Sequence, residues 1–111
     1  MNWIPFTNET QLSEIKDKSN GKPQLVFKHS IRCSISSMTK SRLERSRQPD
    51  NIDFYYLDLI NYRSLSNKLA EEFNVLHESP QILLIKGGKC VYDESHTAIR
   101  MEDIVQQAEA L

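Results

Sequence analysis

The chain has 111 residues, 39% of them apolar and 26% charged, with a net charge of −1. That suits one domain with a modest core and is too well mixed for a disordered segment. The near-neutral balance excludes a general attraction to nucleic acid or anionic lipid, and no apolar run reaches the ~18 residues of a membrane span. The start, Met1-Asn2-Trp3-Ile4-Pro5, has no basic region followed by a long apolar stretch, so no signal peptide is expected. Two cysteines without an export signal read as thiols, and a cytoplasmic location is the expectation.

Residues 3–6 form a candidate first strand. Asn8, with Gln11 three residues on, resembles a capping box. The helix behind it, about residues 9–19, would bury Leu12 and Ile15 and pair Glu14 with Lys18 on its wet side. Asn20-Gly21-Lys22-Pro23 stops it, and residues 24–29 supply the next strand around Leu25-Val26-Phe27. A helix over about 34–47 carries Ile35, Met38 and Leu43 at helical spacing for a buried stripe. Its Lys40, Arg42, Arg45 and Arg47 read as a solvated basic face, with attraction to a phosphate or an acidic partner as the other reading.

Residues 52–60 are β-branched and aromatic on both faces, as in a strand covered on both sides. Asp58 near its end would accept hydrogen bonds from a helix start or face water. Asn61 can cap a helix over about 62–73, with Leu65, Leu69 and Phe73 as its buried stripe. Ile82-Leu83-Leu84-Ile85 and Lys89-Cys90-Val91-Tyr92, separated by Gly87-Gly88, read as a tight hairpin. A last helix over about 101–110 offers Ile104, Val105 and Ala108 to a core. The order is β-α-β-α-β-α-β-β-α, an α/β class with a central mixed sheet flanked by helices.

The most informative stretch is Lys28-His29-Ser30-Ile31-Arg32-Cys33-Ser34-Ile35-Ser36, where a strand gives way to a helix. Unpaired backbone N–H groups and the positive end of a helix dipole favour an anion there. For Cys33 that anion is the thiolate, the nucleophilic form, and the cations Lys28 and Arg32 would favour the same form. The plainer reading is a small residue that fits the turn. Ser36 stands three residues on, where a second thiol would close an internal disulfide. Its hydroxyl cannot do so, but it can donate a hydrogen bond to a thiolate. Cys90 lies just past the hairpin, roughly 15 Å or more from Cys33 by strand length, beyond the reach of a disulfide. It reads as a small buried hydrophobe. By Ser95-His96 the chain has returned to the Cys33 end, so His96 is a candidate to bind substrate or assist the sulfur. His29 is a second candidate, and His77 has a weaker claim. Two cysteines and three histidines without ligand spacing give no metal site, and no phosphate loop is visible.

The order of elements, with a cysteine after the second strand and a proline before the fourth, resembles the thioredoxin fold. Lys28-His29-Ser30-x-Arg32-Cys33-x-Ile35-Ser36, then Glu78-Ser79-Pro80-Gln81, then Ser95-His96 is similar to the monothiol bacilliredoxin family, the YtxJ-like proteins. The resemblance implies a single thioredoxin-like domain over residues 1–111. It implies a monothiol oxidoreductase that removes bacillithiol, or a similar low-molecular-weight thiol, from mixed disulfides on S-thiolated client proteins. That small thiol would be a co-substrate, with no other cofactor. Cys33 would be the nucleophile and Ser36 would hold the place of a resolving cysteine. Pro80 would be the cis-proline of the fold, with the Ser79 backbone docking substrate. Arg32, Ser34 and His96 complete the expected site. Ser34 stands where the family usually has proline, which leaves the helix start less stiff. The glycine and phenylalanine of cluster-binding Cys-Gly-Phe-Ser glutaredoxins are missing. The rival readings are a non-catalytic interaction module and a redox sensor whose oxidised cysteine a partner reads.

Overall fold

The predicted order of strands and helices holds in three dimensions. The computed structural model describes residues 1–110. The elements are β1 (Ile4–Pro5), α1 (Thr10–Lys18), β2 (Gln24–His29), α2 (Ser34–Arg45), β3 (Asp53–Asp58), α3 (Arg63–Phe73), β4 (Gln81–Lys86), β5 (Lys89–Ser95) and α4 (Met101–Glu109). A single 3-10 turn, His96–Ala98, precedes α4. The strands form one sheet in the order β1-β3-β2-β4-β5. β3 runs parallel to β1 and β2, while β4 is antiparallel to β2 and to β5. No helix among the described residues is long and apolar enough to cross a membrane.

Side chains alternate across the sheet and build a core on each face. Val26, Tyr55, Leu57, Leu83 and Ile85 pack with Leu12 and Ile15 of α1 and Leu65, Leu69 and Phe73 of α3. Leu25, Phe27, Phe54, Ile82 and Leu84 pack with Leu43 of α2 and Ile104 and Ala108 of α4. The hairpin between β4 and β5 turns on Gly87 (φ +59°) and Gly88 (φ +78°), the two positive angles of a type I′ turn. Their N–H groups donate to the Ser19 carbonyl (2.9 Å) and to Ser19 Oγ (2.8 Å), tying this end of the sheet to the end of α1.

Several local expectations are corrected. Ile35 and Met38 are exposed, and α2 buries Ser36, Thr39 and Leu43 instead. Its core-facing stripe is rotated by one residue, with the Ser36 hydroxyl against His29 and Ser30 and the Thr39 hydroxyl bonded to the Ile35 carbonyl. Gln11 does reach back, accepting from the Thr7 N–H (2.8 Å) and the Asn8 N–H (3.2 Å). Asn8 gives no cap in return; α1 starts from Glu9 without a side-chain cap. Among the described residues Glu14 and Lys18 form no ion pair, and Lys16 reaches Glu72 of α3 at 3.6 Å. Asn61 does not cap α3: its amide donates to Asp58 (2.7 Å), whose carboxylate also accepts the Ile60 and Asn61 N–H groups.

Leu83 of β4 is fully buried in the core that faces α1 and α3. Leu83→Ala should cost about 2–5 kcal/mol, seen as a lower denaturant midpoint with an unchanged slope.

Candidate active site

Three segments meet at one end of the sheet because of strand register. Lys28 pairs with Gln81, and Gln81 pairs with Ser95. The cysteine turn after β2, the Ser79-Pro80 pair before β4 and His96 after β5 therefore leave the sheet together. The Ser79–Pro80 peptide bond is cis. The His96 N–H donates to the Pro80 carbonyl at 2.9 Å, and His96 Nε2 lies 3.4 Å from a Glu78 carboxylate oxygen. Both of those side chains are half exposed.

Cys33 is the N-cap residue of α2, with extended backbone (φ −108°, ψ 118°), and is partly buried. Its N–H donates to the Ser30 carbonyl (3.1 Å) and its carbonyl accepts the Ser37 N–H (3.1 Å), which fixes the turn. Arg32 and Ser34 flank it and are exposed. Ile31, Ile35, Met38 and, on the loop before Pro80, Leu76 are exposed apolar residues at this end. The rotation of α2 is what brings Ile35 and Met38 outward.

Ser36 is fully buried, and its hydroxyl is committed to the join between β2 and α2. It accepts the Ser30 N–H at 3.0 Å and lies 2.7 Å from His29 Nδ1. His29 is stacked on Phe27 (centroids 5.7 Å) and tilted against Tyr56 (5.5 Å). Burial first, then the charge of Lys40, lowers its pKa, so the neutral ring is favoured. A neutral ring with its proton on Nε2 accepts the Ser36 proton at Nδ1. The Ser36 hydroxyl thus meets Ser30 and His29 at the join of β2 and α2.

Lys28 is also turned to another task. It is fully buried, its Nζ lies 3.3 Å from His77 Nδ1, and burial lowers its amine to about 8. Cys90 sits opposite Ile85, and Ser95 opposite Gln81. Four residues of β4 therefore separate it from the Cys33 end, about 13 Å at strand spacing. Both cysteines are free. The Cys90 thiol donates to the Tyr92 carbonyl (3.4 Å), and burial pushes its pKa up to about 11.

Sequence reasoning missed the supports. Trp3 stacks on Phe27 (5.6 Å) and donates from Nε1 to Glu44 (2.8 Å), which also holds Lys40 at 2.8 Å. Arg42 donates to the carbonyls of Thr97 (3.3 Å) and Ile99 (2.9 Å), so part of the basic face is structural. Gln81, 1% exposed, clasps the loop before Pro80. A polar residue opening an otherwise apolar strand was its only signal.

The comparisons agree with this geometry. The family model for monothiol bacilliredoxin BrxC matches residues 4–104. The chain belongs to that family. A solved protein described as an oxidoreductase with a thioredoxin fold is 29% identical, with a TM-score of 0.83 over 96% of this chain and 93% of its own. Thioredoxin from Malassezia sympodialis (14% identity, TM-score 0.78, 98% and 92% covered) shares the fold. So does a mutant thioredoxin from Halobacterium salinarum (15%, 0.71, 97% and 92%). The chain is a bacilliredoxin-family member of thioredoxin fold with a thiol redox role.

Two outcomes follow from the Ser36–His29 pair. Ser36→Ala leaves a buried ring nitrogen and a backbone N–H without partners and should lower unfolding stability by about 1–3 kcal/mol in urea titrations. Both His29 and His77 have pKa values held below the ordinary 6.5, chiefly by burial. Below pH 6.5 the unfolded chain therefore binds protons first, and stability falls as pH drops from 6.5 toward the native values. Thermal melts across that range should show the fall, and His29→Gln should flatten it, leaving the share due to His77.

Proposed function

We propose that this chain removes bacillithiol, or a similar low-molecular-weight thiol, from S-thiolated proteins by monothiol exchange at Cys33. The observation that carries the reading is the cysteine at the N-cap of α2, with serine at position 36 and the other thiol about 13 Å of strand away. Family membership supports the same chemistry.

In the first step the Cys33 thiolate attacks the small-thiol sulfur of protein–S–S–R. The protein thiolate leaves and takes a proton, and Cys33 carries R in a new mixed disulfide. A second RSH, as its thiolate, attacks that disulfide. It releases R–S–S–R and restores the Cys33 thiolate. The sum is protein–S–S–R plus RSH giving protein–SH plus R–S–S–R, so the protein is reduced and the small thiol oxidised. An internal disulfide has no place in this cycle, because Ser36 carries no sulfur and Cys90 is remote. The attacking sulfur stands at the N-cap of α2, beside the exposed Arg32. Ser79 leaves the sheet at the same end, where an extended client segment can pair with its backbone. The exposed apolar residues Ile31, Ile35, Met38 and Leu76 supply contact area for such a client. We place the reaction in the cytoplasm, a compartment in which both thiols stay reduced.

The test is release of bacillithiol from a capped protein with excess bacillithiol as the second thiol. Wild type should release it and carry a bacillithiol adduct mass at Cys33 in intermediate samples. Cys33→Ser should release at the uncatalysed rate. Equal release by the two proteins would overturn the reading and leave the fold as an interaction module.

A further inference from the structure

The loop of residues 76–80 is unusual in what holds it. Leu76, His77 and Glu78 are exposed, and Leu76 is 89% so. Beyond the His96 contacts to Glu78 and to the Pro80 carbonyl, its ties come from polar side chains inside the sheet. Lys28, with no exposed surface, lies between Leu57 and Gln81 in the sheet and brings its Nζ to 3.3 Å from His77 Nδ1. Gln81 donates from Nε2 to the Leu76 carbonyl (2.9 Å) and accepts the Glu78 N–H at Oε1 (3.4 Å). An amine among Val26, Leu57 and their neighbours is a poor choice for stability alone, since its desolvation is offset by one hydrogen bond. A leucine or methionine would fill the same place without that cost. The amine does one thing an apolar side chain cannot: it fixes the position of His77, two residues before Ser79.

We propose that Lys28 is a positioning residue for the client-docking loop: with Gln81 it holds residues 76–80, through His77, in the arc that presents the Ser79 backbone to a protein substrate. This rests on the exchange reading above and adds the device that makes the site selective for protein mixed disulfides over small ones. A small disulfide needs the sulfur of Cys33 and little of the loop. A protein segment needs the loop already in place, because ordering it on binding would weaken affinity. The device is also sensitive to acid. His77 accepts from Lys28 only while its Nδ1 is unprotonated. The groups facing His77 are Lys28 from β2, Arg63 from α3 and Glu78 from the loop itself. Burial and the two cations outweigh Glu78 and keep the ring neutral. Protonation would set two cations against each other and release the loop.

The experiment compares two substrates for each variant, a bacillithiol-capped model protein and hydroxyethyl disulfide, with free bacillithiol as the second thiol. Lys28→Met and His77→Ala should each raise KM for the capped protein about tenfold, with kcat and the rate on hydroxyethyl disulfide kept within about twofold. The double variant should be no worse than either single one. In wild type, KM for the capped protein should rise as pH falls below the ordinary histidine range, and His77→Ala should lose that rise. Equal loss on both substrates would place Lys28 at the sulfur, and no loss on either would make it a packing residue; each overturns the inference. Should Lys28→Met not fold, His77→Ala at its exposed position carries the same comparison. A wild type that uncaps no protein sinks the exchange reading and this inference with it, whereas an active wild type with indifferent variants sinks only the inference.

Discussion

The site depends on the hydroxyl of Ser36. It lies where the strand ends and the helix begins, and it joins the two by accepting the Ser30 N–H and meeting His29 Nδ1. Without that tie, the turn from Ser30 to Cys33 would be held by backbone bonds alone. Ser36 is part of the scaffold of the turn. His29 is in turn fixed by Phe27 and Tyr56, and those rings by Trp3, whose indole reaches back to Glu44 on α2. A closed loop of contacts thus runs from the helix through the sheet and back, with Cys33 at its mouth.

The sheet does the rest by register. One antiparallel pairing, Lys28 with Gln81, and the next, Gln81 with Ser95, bring three distant stretches of sequence level with each other. The same register keeps the two sulfurs apart, since Cys90 is level with Ile85 and so with Gln24 at the other end of β2. Burial leaves Cys90 a weak acid, while Cys33 stands at a helix start. Two residues of the same type are given different settings by where the strands put them.

Much of this was legible in the residues. The alternation of apolar runs with helical spacing gave the order of elements, and Gly87-Gly88 gave the hairpin by demanding positive φ. Cys33, Ser79-Pro80 and His96 were placed at one end by strand direction together with the resemblance to the thioredoxin fold. What was not legible was side-chain commitment. Nothing in the spacing of Ile35, Met38 and Leu43 reveals that α2 buries Ser36 and Thr39 instead. Nor does sequence tell whether a lysine beside a cysteine faces the sulfur or the opposite side of the sheet. Alternation along β2 decides it, with Val26 and Lys28 on one face and Phe27 and His29 on the other. The partners that followed, His77 for Lys28 and Ser36 for His29, are pairings between segments far apart or across a turn, which local pattern does not record.

The two borders of the sheet carry a consequence of their own. On one side β1 is only two residues long and ends on Pro5, whose nitrogen has no hydrogen to offer. On the other, β5 sets Lys89, Asp93 and Glu94 along its length. Neither border is a good template for another strand, so copies of this chain at high concentration have little means of zipping together side by side. On the exchange reading proposed above, pairing with an extended client segment is left to a loop at the end of the strands and withheld from the flanks.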